Sequence, residues 1–164
     1  MKIILAPVDF SAATPPVLKS AAQLARAFQA KVVIVHVIRP TVIANTFSPE
    51  VAELQMEAQN DESKQSLYWE RTLQNEGVAV EISEPYGDPA TCIHEEAKRL
   101  GADLIVIGSH GHGAIYDLLI GSTAARLLKK SPCPVLVVPI SDPSPAKFAD
   151  EVATETAAPI RSTD

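Results

Sequence analysis

Five short runs of apolar, mostly β-branched residues punctuate this chain, and longer amphipathic stretches separate them. The runs are Ile3 to Val8, Lys31 to Ile38, Val78 to Ser83, Asp103 to Ile107 and Val135 to Val138. Most are continuous rather than alternating, as in KVVIVHVI and VLVV. A continuous run suits a parallel strand covered on both faces, because neither face is left to water. Alternation of such runs with helical stretches predicts an α/β fold. We expect a single open, mostly parallel five-stranded sheet with helices on both faces and right-handed crossovers.

Helix signals fall between the runs. Thr14-Pro15 offers an N-cap and a first-turn proline, and Val17, Leu18, Ala21, Leu24, Ala25 and Phe28 keep one face apolar at steps of three and four. Asp88-Pro89 repeats the start signal, Ile93, Ala97 and Leu100 share a face, and Gly101 supplies a stop. Ser122 to Lys130 reads as a short helix with lysines at its negative end. From Glu50 to Glu76 the propensity is helical but the apolar face is ragged; Tyr68 and Trp69 there are expected to pack.

Composition narrows the function classes. The 164 residues carry a net charge of −6, which argues against nucleic acid or an anionic membrane held by bulk electrostatics. Cys92 and Cys133 form no C-x-x-C pair and read as free thiols of a reducing compartment. Pro7 and Asp9 interrupt the first apolar run too early for a secretory signal, and no stretch approaches the roughly 18 apolar residues of a membrane span. A soluble, cytoplasmic protein without membrane insertion is expected. Residues 141–164 shift to Pro, Ala, Ser and Thr, with five acidic residues against Lys147 and Arg161, a net of −3. We therefore expect a folded domain over 1–140 and a disordered acidic tail.

The chemistry is expected at the carboxyl ends of the strands, where ligands bind to open parallel sheets. There the chain reads Gly108-Ser109-His110-Gly111-His112-Gly113, and after nine residues from Gly111 comes Gly121-Ser122-Thr123. Gly108 and Gly111 permit a tight turn with inward amides, and Gly121 lets a phosphate approach without a Cβ in the way. The N–H groups of Ser122 and Thr123 open a helix, where unpaired donors and the dipole favour an anion. Glycines here serve a plain turn equally well. Neither a Walker A loop nor a Rossmann fingerprint is present.

This G-x₂-G-x₉-G-[ST] pattern at 108–122 resembles that of the universal stress protein family, in its ATP-binding branch. Ile4-Leu5-Ala6-Pro7-Val8-Asp9-Phe10-Ser11, His36-Val37-Ile38, residues 101–108 and Ser131-Pro132-Cys133-Pro134 through Pro139 resemble the family as well. The resemblance implies a Rossmann-like sheet of the adenine nucleotide alpha hydrolase type, with strand order 3-2-1-4-5. It also implies that Pro7, Val8 and Asp9 line adenine and ribose, and that the Val37 backbone hydrogen-bonds the adenine edge. By the same token Ile107, Gly108, Ser109, His110, Gly111, His112 and Gly113 wrap ribose and phosphates. Gly121, Ser122 and Thr123 hold the outer phosphates of ATP, with Mg²⁺ or Mn²⁺ carried mainly by the phosphates, aided by Asp9 or Ser122.

Each residue also has a plainer use. Asp9 suits a cap for the following helix, His36 a satisfied core histidine, and His94 a solvated helix face. His110 and His112 are expected to contact phosphate through backbone rather than to catalyse. No lysine or arginine within 105–123 supplies transition-state charge, so a regulatory nucleotide module with little or no hydrolysis is the leading expectation. An ATP-consuming enzyme of the related class and a nucleotide-free dimeric scaffold are the alternatives. The short apolar strand at 135–139 would be sticky as an edge, and the resemblance implies a homodimer through it.

Overall fold

The computed structural model describes residues 1–39, 49–110 and 120–140, with backbone alone for 49–59. The elements run β1 (Ile3–Val8), α1 (Thr14–Phe28), β2 (Lys31–His36), α2 (Pro49–Asn75), β3 (Ala79–Ser83), α3 (Pro89–Leu100), β4 (Leu104–Gly108), α4 (Ser122–Lys129) and β5 (Val135–Val138). Five strands form one sheet in the order β3-β2-β1-β4-β5, and every pairing is parallel. This is the expected architecture and order. Gly111, His112, Gly113 and the tail 141–164 lie outside the described residues.

Continuous apolar strands dictate two cores. Ile4, Ala6, Val32, Ile34 and Val106 meet Val17, Leu18, Ala21, Ala22 and Ala25 of α1 and Leu73 of α2 on one face. Leu5, Val33, Val35, Ile105 and Ile107 meet Ile93 and Ala97 of α3 and Ala124 and Leu127 of α4 on the other. Adjacent strand residues therefore sit in opposite layers, as the period of two requires.

Two local signals of α3 are borne out. Asp88 caps α3, accepting from Thr91 N at 3.1 Å and Thr91 Oγ1 at 2.7 Å, and Gly101 closes that helix at φ 63°. The Asp103 carboxylate accepts from the amides of Lys2 (2.6 Å) and Ile3 (3.0 Å), which joins the starts of β1 and β4 and holds its pKa below the ordinary range.

Others are corrected. Thr14 is not the cap of α1: Ala13 occupies that position without a side-chain hydrogen bond, because Ser11 already takes the nearby amides. Phe28 ends its helix 55% exposed rather than in the apolar face, and Tyr68 is 62% exposed, edge-on to a Trp69 that does pack on the core. His94 is not merely solvated. Its Nδ1 lies 2.7 Å from the Lys130 carbonyl and must carry the proton, since a carbonyl only accepts.

Candidate functional site

Chain connections leave β1 and β4 for opposite faces, α1 covering one and α4 the other. A crevice results at the carboxyl ends of these strands. It encloses about 330 Å³, near the lower end of the roughly 300–1,000 Å³ typical of ligand pockets. Every described residue of the expected site lines it: Pro7, Val8 and Asp9 from β1, Val37 beyond β2, Ile107, Gly108, Ser109 and His110 from β4, and Gly121, Ser122 and Thr123 at α4.

One end of the crevice is apolar. Val35 and Val37 face Ile93 and Pro89 of α3 there. The backbone at this end is held from the β3 side. Ile38 N–H donates to Pro85 O at 2.9 Å, and Gly87 N–H donates to Ile38 O at 2.9 Å. Backbone groups alternate sides along an extended strand, so Val37 presents its N–H and C=O the other way, toward the crevice. Among the described residues neither group has a hydrogen-bond partner. A donor and an acceptor, adjacent and half-buried beside apolar walls, suit the edge of a planar heterocycle.

The other end is decided by helix termini. The starts of α1, α3 and α4 all border the crevice, through Ala13 and Thr14, Pro89, and Gly121 to Ala124. Each would bring a positive dipole end and free amides. At α1 the amides are gone: Thr14 N–H donates to Ser11 O (3.0 Å), Pro15 and Pro16 have none, and Val17 N–H donates to Ala13 O (3.2 Å). At α3 Pro89 lacks one and the Asp88 carboxylate already serves Thr91. α4 begins at a Gly121 with φ −65° and ψ 157°, with no capping side chain and, among the described residues, no backbone acceptor taking its first amides. Its first amides, Ser122 and Thr123, remain available to an anion.

The glycine turn itself is more tightly bound than the sequence suggested. Ser109 N–H donates to Val138 O at 2.8 Å and Gly121 N–H to Ser109 O at 2.6 Å, so these two amides do not point at a ligand. A Cβ on Gly121 would stand 3.2 Å from Ser109 O, and one on Gly108 would stand 3.0 Å from both Ala13 Cβ and His110 O. Both glycines first of all let the 108–110 turn close against α1 and α4. Ser109 Oγ accepts from Ile140 N–H at 3.0 Å and lies 3.0 Å from His110 Nδ1, tying the end of β5 to the crevice wall.

Asp9 does not cap α1. Its Oδ1 accepts from Ser11 N (3.1 Å) and Ser11 Oγ (2.6 Å), and Ser11 Oγ accepts from Ala13 N (3.2 Å). Between them Phe10 is held at φ 56°, a left-handed conformation that costs a non-glycine residue energy and recurs at functional turns. Phe10 rests on the buried His36 ring at 4.6 Å, whose Nδ1 is 3.3 Å from Val8 O and Nε2 3.1 Å from Glu62 Oε2. His36 is thus a satisfied core histidine that braces the end of β1. On the far side, both Arg126 guanidinium nitrogens donate to Asp88 at 2.8 Å, which clamps α4 to the start of α3 and holds the Asp88 carboxyl well below its usual range.

Several wall residues lie outside the set the sequence pointed to, and three of them bear polar groups or come from other elements. Thr14 is 2% exposed and its Oγ1 has no hydrogen-bond partner among the described residues. Pro89 arrives from α3, and Arg39 from just beyond β2. Arg39 was legible: it continues the odd-numbered series Val33, Val35, Val37 that faces α3.

A doubly wound α/β protein with a crevice at its topological switch point, apolar at one end and amide-lined at the other, is the class that fold and site define. A family model described as the universal stress protein family matches residues 1–139. The chain belongs to that family. It is 33% identical over 138 residues to universal stress protein MJ0531 of Methanocaldococcus jannaschii, covering 84% of this chain and 81% of that one. The solved structure of hypothetical protein MJ0577 superposes with a TM-score of 0.68 at 30% identity, over 86% of this chain and 97% of its own. Two further universal stress proteins share the fold. One, in complex with cAMP, has TM-score 0.58 and 23% identity over 85% of this chain and 98% of its own; another, from Archaeoglobus fulgidus in complex with dAMP, has 0.54 and 24% over 84% and 96%.

Proposed function

We propose that this chain is a nucleotide-dependent regulatory module of the ATP-binding branch, taking an adenine nucleotide into the crevice. The observation that carries this is the pairing of two unpartnered backbone sets in one cavity: the N–H and C=O of Val37 at the apolar end, and the open amides of α4 at the other. Adenine offers a neighbouring donor and acceptor on its N6/N1 edge, which the Val37 carbonyl and amide complement. The phosphates then fall toward Ser122 and Thr123, where the dipole and donors favour them. Pro7, Val8, Asp9 and Ile107 to His110 border the sugar between. The fold relatives bound to cAMP and dAMP make adenine nucleotides the first ligands to test; the case for this chain rests on its own cavity.

Mg²⁺ or Mn²⁺ would enter on the phosphates. Asp9 or the Ser122 hydroxyl would aid in holding it; among the described residues no cluster of three or more His, Cys, Asp and Glu is present. Binding would bias the 108–121 loop or a dimer that a further protein reads, with little or no hydrolysis. The dimer would form through β5. Among the described residues that strand pairs with β4 on one side only, and Leu136 is 41% exposed. No helix among the described residues is long and apolar enough to cross a membrane. The compartment proposed is the cytoplasm.

Isothermal titration of the purified protein with ATP, ADP, AMP and cAMP, after heat extraction of any nucleotide carried through purification, tests the binding. Micromolar affinity for at least one supports it. No binding of any, together with an empty extract, refutes it. Turnover above about 1 s⁻¹ would instead favour an ATP-consuming enzyme.

A further inference from the structure

The apolar end of the crevice carries one charged side chain, and nothing in the nucleotide motif accounts for it. Arg39 lines the cavity, is exposed, and among the described residues forms no ion pair or hydrogen bond. Its backbone is not adrift. The bridge between Ile38 and Tyr86, with the two 2.9 Å bonds made by Ile38, extends β2 by one pairing and fixes the direction in which residue 39 leaves. The strand alternation puts Arg39 in the same series as Val35 and Val37, on the side of α3 where Pro89 and Ile93 stand. It therefore sits at the rim of the apolar slot.

The alternative duty for an arginine at a nucleotide site is to hold phosphate, and topology argues against it. The open amides belong to α4, which follows β4, and β1 lies between β4 and β2 in the sheet. Strands are spaced about 4.8 Å apart, so the end of β2 is roughly 10 Å across the sheet from the end of β4. Asp9, just past the end of β1, lies between them. A ring whose edge meets the Val37 backbone would have apolar walls from Val37, Pro89 and Ile93, and among the described residues Arg39 is the one that borders its outer side. A guanidinium is planar, weakly hydrated and stacks on aromatic faces, which suits that open side.

We infer that Arg39 is a specificity-determining residue that stacks its guanidinium on the base of the bound nucleotide and closes the outer side of the base slot. This rests on the nucleotide reading above and adds the base-recognition element to it. Contact with the base alone has a definite consequence. Arg39 should contribute equally to ligands with and without phosphate, and its contribution should favour the larger purine ring over a pyrimidine.

The experiment measures affinities of the full chain and of R39A and R39K for ATP, adenosine and CTP by titration at two salt concentrations. Loss of one cation–π or stacking contact at a partly exposed site corresponds to about a 3- to 10-fold weaker affinity. We expect R39A to weaken ATP and adenosine by that same factor, with little salt dependence, and to narrow the preference for ATP over CTP. R39K, which keeps the charge but not the plane, should recover only part of the loss. A loss confined to ATP and abolished by salt would assign Arg39 to phosphate and overturn the inference, as would unchanged affinities in R39A. If the unaltered chain binds neither ATP nor adenosine, it is the nucleotide reading itself that fails. Arg39 is exposed, and a thermal melt of R39A matching the unaltered chain separates recognition from folding.

Discussion

A proline at position 122 isolates the contribution of one amide. Ser122 is the first residue of α4, where proline is favoured because the N–H it lacks has no helical partner. Proline also restricts the residue before it to extended conformations, and Gly121 already has φ −65° and ψ 157°. The side chain of residue 122 is exposed, so the ring meets no core. Ser122→Pro should therefore leave the helix intact while deleting one of the open donors that border the crevice. Ser122→Ala is its control, removing the hydroxyl and keeping the amide. A hydrogen bond to a charged group contributes about 1.5–3 kcal/mol, so the proline variant should bind ATP roughly 10- to 150-fold more weakly than the alanine variant. Titration calorimetry reads the affinities, and thermal melts confirm that both variants fold equally. If Ser122→Pro binds as tightly as Ser122→Ala, phosphate does not sit on the start of α4 and the orientation proposed for the ligand is wrong.

Three further outcomes follow from named contacts. Gly108→Ala places a Cβ 3.0 Å from Ala13 Cβ and His110 O, an overpacking that should cost about 1–3 kcal/mol in urea denaturation; an unchanged midpoint would show the turn to be looser than described. Asp88→Ala removes the cap of α3 and should cost about 1 kcal/mol, whereas Asp88→Asn retains a capping oxygen and should cost less. Because the Asp88 carboxyl is depressed in the folded state by Arg126 and Thr91, its contribution is present above the unfolded carboxylate pKa and is lost as pH falls through the folded value. The stability gap between the native chain and Asp88→Ala should accordingly close on strong acidification and stay constant between pH 5 and 8; a gap that widens in acid would contradict the assignment. Finally, Leu136→Lys puts a charge on the exposed face of β5, and light scattering at micromolar concentration should show a dimer for the native chain and a monomer for the variant, a monomeric native chain ruling out the proposed assembly.

What the linear chain announced was everything governed by short-range periodicity. Continuous runs such as LIVI and VLVV identify strands covered on both faces, and the three- and four-residue steps of α1 and α3 identify the helices that cover them. The Asp88 cap and the Gly101 stop were legible for the same reason: each partner lies within a helical turn. Thr14 misled because a threonine before proline fits a cap, but Ser11, three residues earlier, had taken the amide first. The raggedness of α2 has a physical origin as well, since its described apolar contact with the core comes from Leu73 and Trp69 while Leu67 and Tyr68 face water.

Which helix start stays open to an anion was decided only in three dimensions. The starts of α1, α3 and α4 all reach one crevice, and the choice among them depends on which amides are already paired, by Ser11, by Asp88 or by none. The engagement of Gly121 N–H by Ser109, and of Ser109 by Val138 and Ile140, are tertiary contacts that no local pattern encodes. Periodicity tells a chain which side to bury; only the closed sheet settles which of its remaining polar groups are left unpaired.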